Sequence, residues 1–353
     1  MTPSKEKRIC SQIQDAVVLI MENSKRIVLA HGGGGALTRE LIAEVLLASL
    51  GRTADGLPDA AVVPGAENLA FTTDSFVVKP LFFRGGDIGS LSVHGTSNDL
   101  AVSGAEPQAL SMSLIIEEGF DIETLGRIVR SAAAAAAASG VQIVTGDTKV
   151  VARGEADQLF VNTAGIGIRR IHSDPKSLEP EDCVLINGPI AEHGIAVMSE
   201  REGIAFGTRV RSDAAPVWPF VKALIDAGIE PRVMRDPTRG GLAACCVELA
   251  DDSGVTVELD EAAIPVRPET RAACEMLGLD PLTVANEGKI VVFVAENHAE
   301  LALDTLKKTP GGEHAALIGR VVPRKRVSCV MRTRFGGERI VEMPYGEDLP
   351  RIC

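Results

Sequence analysis

The sequence predicts an α/β protein of mixed α+β character, divided into two domains and closed by a C-terminal tail. Three observations carry that prediction. The 353 residues exceed what one ordinary core holds and suit two domains of roughly 150 to 200 residues each. Short apolar runs of strand length alternate with helical stripes in both halves, with glycine-rich turns where one pattern gives way to the other. Hydrophobic residues reach 45% but aromatics only 3%, so the interiors must be built from Val, Ile, Leu and Ala.

Taken in order, Ile9, Ile13, Val17 and Ile20 recur at helical spacing and predict a short lead-in helix. The run Ile27 to Ala30 leads into His31 and four glycines, Gly32 to Gly35, which precede a helical stripe of Leu37, Leu41, Ile42, Val45 and Leu46. Glycines at a helix start suit close approach of a phosphate to backbone N–H groups. From Asp59 to Val102 the pattern reads as short β-type runs punctuated by carboxylates, among them Asp59, Asp74, Asp87 and Asp99. Singly each is a cap or a turn former; as a set they suit a polyphosphate with Mg²⁺, which needs oxygen ligands from several segments. A helix is expected to open at Leu100 and close at Gly104, followed by a strand over 108–117.

Asp121 is placed to cap a long helix that includes Ala132 to Ala138 and stops at Ser139-Gly140; the alanine run predicts a face lying close against a sheet. Val141 to Val144 then reads as a strand delivering Thr145-Gly146-Asp147-Thr148-Lys149 at its C-terminal end, and Leu159 to Gly167 as the strand that finishes the first domain. The apolar rhythm breaks around Ser173 to Lys176. The second half predicts a strand at 183–186, helices at 193–199, 217–227 and 242–250, and a strand at 290–295. Asp236 precedes Thr238 and the pair Gly240-Gly241, which offer a cation ligand, a cap and anion-binding N–H groups at a helix start. Asn286-Glu287-Gly288-Lys289 reads as a tight turn displaying polar groups. The resulting division is 1–40 lead-in and glycine loop, 41–172 N-terminal domain, 173–335 C-terminal α/β domain, and 336–353 tail.

A net charge of −12 argues against nucleic acid and anionic membrane as partners, which rely on Lys and Arg. Seven scattered cysteines without a CxxC pair indicate neither a disulfide framework nor a zinc site. No secretory signature and no stretch of membrane-spanning length is present, so a cytoplasmic protein is expected. The seventh cysteine, Cys353, ends the chain after Pro350-Arg351-Ile352. An extended segment from Gly337 would reach on the order of 50 Å at about 3.3 Å per residue.

Read together, Gly32 to Gly35, Thr72-Thr-Asp74, Gly95-Thr-Ser-Asn-Asp99, Gly146-Asp-Thr-Lys149, Asp236-Pro-Thr-Arg-Gly-Gly241, Asn286-Glu-Gly-Lys289 and the terminal Pro350-Arg-Ile-Cys353 resemble the HypE family of hydrogenase maturation proteins. All but the last motif are shared with the superfamily of aminoimidazole ribonucleotide synthetase, selenophosphate synthetase and thiamine-monophosphate kinase. The resemblance implies a homodimer whose N-terminal domains pair in a barrel-like sheet, with ATP near that interface. It implies Asp59, Asp74, Asp99, Asp147 and Asp236 as Mg²⁺ ligands, and Gly33, Gly34, Gly35, Asn98, Thr145, Gly146, Thr238, Gly240 and Gly241 around the nucleotide. It also implies the activity: a carbamoyltransferase, HypF, loads Cys353, ATP-dependent dehydration makes a thiocyanate with Glu287 as base and Lys149 as charge stabiliser, and a HypC–HypD complex receives the cyanide. Two other readings fit the residues: a phosphotransferase of the superfamily acting on a free small molecule, and a nucleotide-switched scaffold with a metal or redox thiol.

Overall fold

In the computed structural model, residues 35–41, 43–44, 61–62, 68–203, 210–346, 349 and 351–353 are described. The expected lead-in helix, Gly33, Gly34 and Asp59 lie outside them. After a short helix α1 (Ala36–Leu41), the N-terminal domain builds one five-stranded sheet, ordered β1-β2-β7-β5-β6, from β1 (Ala61–Val62), β2 (Leu69–Phe76), β5 (Ala105–Glu117), β6 (Gln142–Val151) and β7 (Leu159–Arg169). Only β5 and β6 run parallel, joined by helix α3 (Ile122–Ser139). A two-stranded hairpin, β3 (Phe82–Phe83) and β4 (Gly86–Asp87), leads into helix α2 (Ile88–Val102).

Helix α2 corrects the β-type reading of 88–99. Asp87 starts it with a capping box, its carboxylate taking Gly89 N–H at 2.8 Å and Ser90 N–H at 3.1 Å while the Ser90 hydroxyl accepts the Asp87 N–H. Leu100 lies in its last turn, so the helix expected to open there is closing. Nearly every residue of α2 is buried, because the helix lies between the sheet and α3. The alanine run is correspondingly not a sheet-facing surface: Ala132, Ala135 and Ala136 are buried and α3 packs chiefly on α2, where Gly89 lies so close to Ile128 that an added Cβ would stand 2.2 Å from its carbonyl oxygen. The cap at Asp121 and the left-handed stop at Gly140 are as predicted.

His94, inside α2, is buried against Ser139, its Nδ1 lying 3.3 Å from the hydroxyl, and burial pushes its pKa down to about 4. The unfolded chain therefore takes up this proton near pH 6.5 and the folded chain only near 4. Stability from this site is present above 6.5 and lost as pH falls through that window, by about 3 kcal/mol in total. Urea midpoints for the protein and for His94→Gln should converge as pH is lowered from 6.5 to 4.

The C-terminal domain is a seven-stranded sheet, ordered β14-β13-β10-β12-β8-β11-β9, made of β8 (Cys183–Ile186), β9 (Val233–Arg235), β10 (Val255–Asp260), β11 (Val291–Val294), β12 (Ala316–Pro323), β13 (Cys329–Arg332) and β14 (Glu338–Ile340). Helices α4 (Glu192–Glu202), α5 (Trp218–Asp226), α6 (Gly241–Ser253), α7 (Pro268–Leu277) and α8 (Glu296–Lys308) pack around it. Its core is aliphatic, with strand β11, between β8 and the edge strand β9, buried along its whole length and Cys245, Cys246, Cys274 and Cys329 as small apolar side chains. β14 belongs to the segment assigned to the tail, yet it pairs antiparallel with β13. Among the described residues no helix is long and apolar enough to cross a membrane.

Candidate active site

The site lies where the C-terminal end of the chain meets β2, α2 and two loops of the C-terminal domain. Asp74 and Thr72 stand on the helix-covered face of β2. The Asp74 carboxylate accepts its neighbour Ser75 N–H at 2.8 Å, and the Thr72 hydroxyl donates to Asp99 at 3.0 Å. Gly95 of α2 permits this arrangement, since a Cβ there would press on the Phe76 ring and stand 3.5 Å from Asp74 Oδ2.

Two loops complete the wall. In the first, Asp236 is followed by Gly240 and Gly241, both left-handed, with φ of 75° and 62°. A side chain on Gly241 would meet the carbonyl oxygens of Leu282 and Val284 at 2.5 and 2.7 Å, so this helix start needs glycine for conformation and for space. The second loop, Asn286 to Lys289, is fastened to the first: the Asn286 amide donates to Pro237 O at 2.8 Å and Val284 O at 3.0 Å, and its oxygen accepts Ala191 N–H at 2.7 Å. Asn98 is used in the same way, donating both amide protons, to Ala215 O and Glu287 O at 3.0 Å, and accepting Val217 N–H at 2.9 Å. Asp213 accepts the N–H groups of Glu287 and Gly288 at 3.2 and 3.3 Å and pairs with Lys289 at 3.1 Å, both side chains buried.

Glu287 is the centre of this construction and is buried. Burial, then the charges of Asp236, Asp74 and Asp213, hold its carboxyl well above the usual carboxylate range, with Arg239 opposing. Asp74 is raised too, chiefly by burial. Asp213 stays low: burial works against it, but Lys289 prevails, by its charge and its hydrogen bond. Arg239 is made a firmer cation first by the charge of Cys353, then by Asp74, Glu287 and Asp99, against its burial cost. An acidic cluster faced by one arginine is the donor chemistry that suits a hard cation carrying phosphate. Among the described residues no group of three or more His, Cys, Asp or Glu side chains is arranged to hold a metal ion.

The terminal residues occupy the open side. Cys353 O accepts Val77 N–H at 3.1 Å and Arg351 O accepts Lys79 N–H at 3.2 Å. Ile352 is buried in the N-terminal core, with Cys353 packed against the same cluster. Buried His193 donates Nε2–H to Ile352 O at 2.9 Å and accepts the Ser212 hydroxyl at Nδ1 at 2.8 Å, a neutral tautomer that fits a pKa lowered by burial.

The structure therefore brings together Asp74, Asp99, Asp236, Glu287 and Cys353, beside Thr238, Gly240 and Gly241. It does not bring Asp147 and Lys149 to them within one chain. Strand β6 runs through the Thr145 to Lys149 motif instead of ending before it. Register pairs Asp74 with Thr163, Thr163 with Met112 and Met112 with Gly146, so Asp147 and Lys149 are three strands away, about 14 Å, and Asp147 points to the opposite face. They pair with each other at 3.2 Å with their side chains 62% and 70% exposed. Gly35 is packed on the tail, where Ala36 N–H donates to Pro344 O at 2.9 Å. Arg239, Asp213, Lys289 and His193 were not singled out from sequence; the first and third stand inside recognised motifs, and the other two carry no local signal.

This two-domain arrangement, with carboxylates from the first domain facing a glycine-rich loop of the second, defines an AIR synthase related protein: the N-terminal domain model of that family matches residues 58–169 and the C-terminal one residues 179–332. The chain is 48% identical to the carbamoyl dehydratase HypE of Cupriavidus necator over 335 residues, 94% of this chain and 95% of that one. It is 44% identical to that of Escherichia coli K12, over 93% and 99%. A crystal structure of a HypE–HypF complex superposes with a TM-score of 0.81 at 44% identity, covering 88% of this chain and 100% of that one, and HypE in complex with ATP with 0.79 at 43%, covering 93% and 100%. Thiamine monophosphate kinase of Aquifex aeolicus, at 17% identity and a TM-score of 0.62 over 85% and 96% of the chains, shares the fold. The chain belongs to the HypE family of carbamoyl dehydratases.

Proposed function

We propose that this chain dehydrates a carbamoyl group carried on its own Cys353 thiol to a thiocyanate, hydrolysing ATP to ADP and phosphate, and so supplies cyanide for the iron centre of a NiFe hydrogenase. The observation that carries this reading is the docking of the terminal residues beside Glu287, Arg239 and Asp74. The amide oxygen of the thiocarbamate leaves poorly as hydroxide. Transfer of the γ-phosphoryl group to that oxygen, with loss of one N–H proton, gives an imidate phosphate and ADP. Cleavage of the C–O bond then releases phosphate as the second N–H proton leaves and the C≡N bond forms. Glu287, whose carboxyl is held above the usual range by burial and by neighbouring acids, takes that proton. Arg239 faces the developing phosphate charge, and Asp213 with Asn98 fixes the turn that carries the base. Asp74, Asp99 and Asp236 would hold Mg²⁺, which offsets charge on the transferring phosphate.

The same reading places Asp147, Lys149, Thr145 and Gly146 in the site of a second copy. The outer face of the N-terminal sheet carries Phe71, Ile115, Ile166 and Ile168, all exposed in the single chain, and a homodimer closed over that face would cover them. HypF as the source of the carbamoyl group and a HypC–HypD complex as the acceptor complete the proposal, in a reducing cytoplasm that keeps Cys353 a thiol; among the described residues no cysteine is in a disulfide. The test is the mass of the C-terminal peptide after incubation with the carbamoyltransferase, carbamoyl phosphate and ATP. Gain of a carbamoyl group followed by loss of one water is expected. A peptide of unchanged mass overturns the reading in favour of a phosphotransferase acting on a free substrate.

A further inference from the structure

Loading and dehydration make opposite demands on the tail, which must leave the body for one and lie still in it for the other. What holds it down is separate from the acidic cluster. Arg351 has a φ of +53°, in the left-handed region that side chains other than glycine rarely adopt, so the docked tail persists only where other contacts compensate. Those contacts come from three segments. The Arg351 guanidinium donates to Val77 O at 2.8 Å and to the Asp157 carboxylate, which also takes Lys79 at 2.6 Å. Arg201, on α4, donates to Arg351 O at 2.8 Å and, with two nitrogens, to Lys79 O at 2.6 and 2.8 Å. Lys79 first, and then Arg351, keeps the Asp157 carboxyl below its usual range.

We propose that Asp157 and Arg201 are the dock of the C-terminal tail: positioning residues that read Arg351, one through its side chain and the other through its carbonyl, and thereby fix the distance of the Cys353 sulfur from Glu287. Asp157 is in the β6–β7 loop and Arg201 near the end of α4, so neither contributes to a core. The proposal deepens the function proposed above, because a tail held for dehydration is its premise.

The test uses the full chain and needs no carbamoyl chemistry for its first arm. Alkylation of Cys353 by iodoacetamide is followed by the mass of the C-terminal peptide in the parent, Asp157→Asn, Arg201→Gln and Arg351→Ala. Each variant should react about tenfold faster, the loss of about one charge-assisted hydrogen bond from the docked state, while buried Cys246, Cys274 and Cys329 stay protected. Asp157→Asn should add nothing in an Arg351→Ala background. In the second arm, carbamoyl loading should be unchanged or faster, and single-turnover dehydration of the loaded tail slower by a similar factor. Parental alkylation rates in both dock variants overturn the proposal, as does a rise that spreads to the buried cysteines. Faster alkylation of Cys353 in a protein that never dehydrates a loaded tail upholds the dock and sinks only the function.

Discussion

Glu287→Gln is expected to lower the rate of thiocyanate formation on a loaded tail by about 10²- to 10⁴-fold, the range that a positioned base contributes, with carbamoyl loading and ATP binding unchanged. The substitution keeps the size of the side chain and the main-chain bonds to Asp213 and Asn98, so the turn itself should remain. It also removes a buried carboxyl whose raised pKa works against folding. A carboxyl that is easier to protonate folded than unfolded lowers stability as pH rises above its unfolded value near 4.5. The variant should therefore melt no lower than the parent at pH 7, and higher if the carboxylate is charged there. Loss of activity with retained or increased stability is the signature of a group kept for chemistry. In the parent, the rate should fall on the acid side with an apparent pKa above the ordinary glutamate range, because the base works only when unprotonated; that limb should vanish in the variant's residual rate. Single-turnover assays across pH, with melting curves alongside, decide it. Undiminished thiocyanate formation by Glu287→Gln would remove this residue from the mechanism.

Elements that obey simple periods or carry clear end signals were legible from sequence: in the second domain β8 matches its expected range and β11 differs by one residue at each end, and in the first Asp121 and Gly140 bound α3 as their chemistry dictates. Helix α2 was not legible. A helix buried on all sides has no polar face and hence no 3.6-residue stripe, and its Gly, Ser, Thr and β-branched residues read as extended chain. The site divided in a similar way. Asp74, Asp99, Asp236 and Glu287 could be named because each stands in a dense local motif. Asp213 and His193 could not, since what makes them matter is contact with Gly288 and Ile352, 75 and 159 residues away. Their order in the chain holds no trace of that pairing.

Lys149 is the residue whose place in the motif and place in the structure disagree most, and the disagreement can be measured. If Lys149 serves the site of a second copy, then Lys149→Ala and Glu287→Gln homodimers are both inactive, yet mixing them restores activity. Random exchange makes half of the dimers mixed. In a two-fold symmetric dimer each mixed pair then holds one site with both parental side chains and one with neither. About a quarter of the parental dehydration rate should return, after denaturation and joint refolding or on co-expression with different tags. Were Lys149 to act within its own chain, every site in every mixed dimer would still carry one defect, and nothing would return. Arithmetic alone separates the two cases, because the separately prepared variants are the controls. A further handle comes from the outer sheet face. Ile115→Asp places a carboxylate on a surface that the proposal closes against its equal, two residues along β5 from Ser113, which pairs with Asp147. Such a variant should sediment as a monomer, and since each site would then lack Asp147 and Lys149 together, it should bind and dehydrate a loaded tail no better than Lys149→Ala. A monomer with full activity would return Lys149 to the surface, as one half of an exposed ion pair worth little to anything.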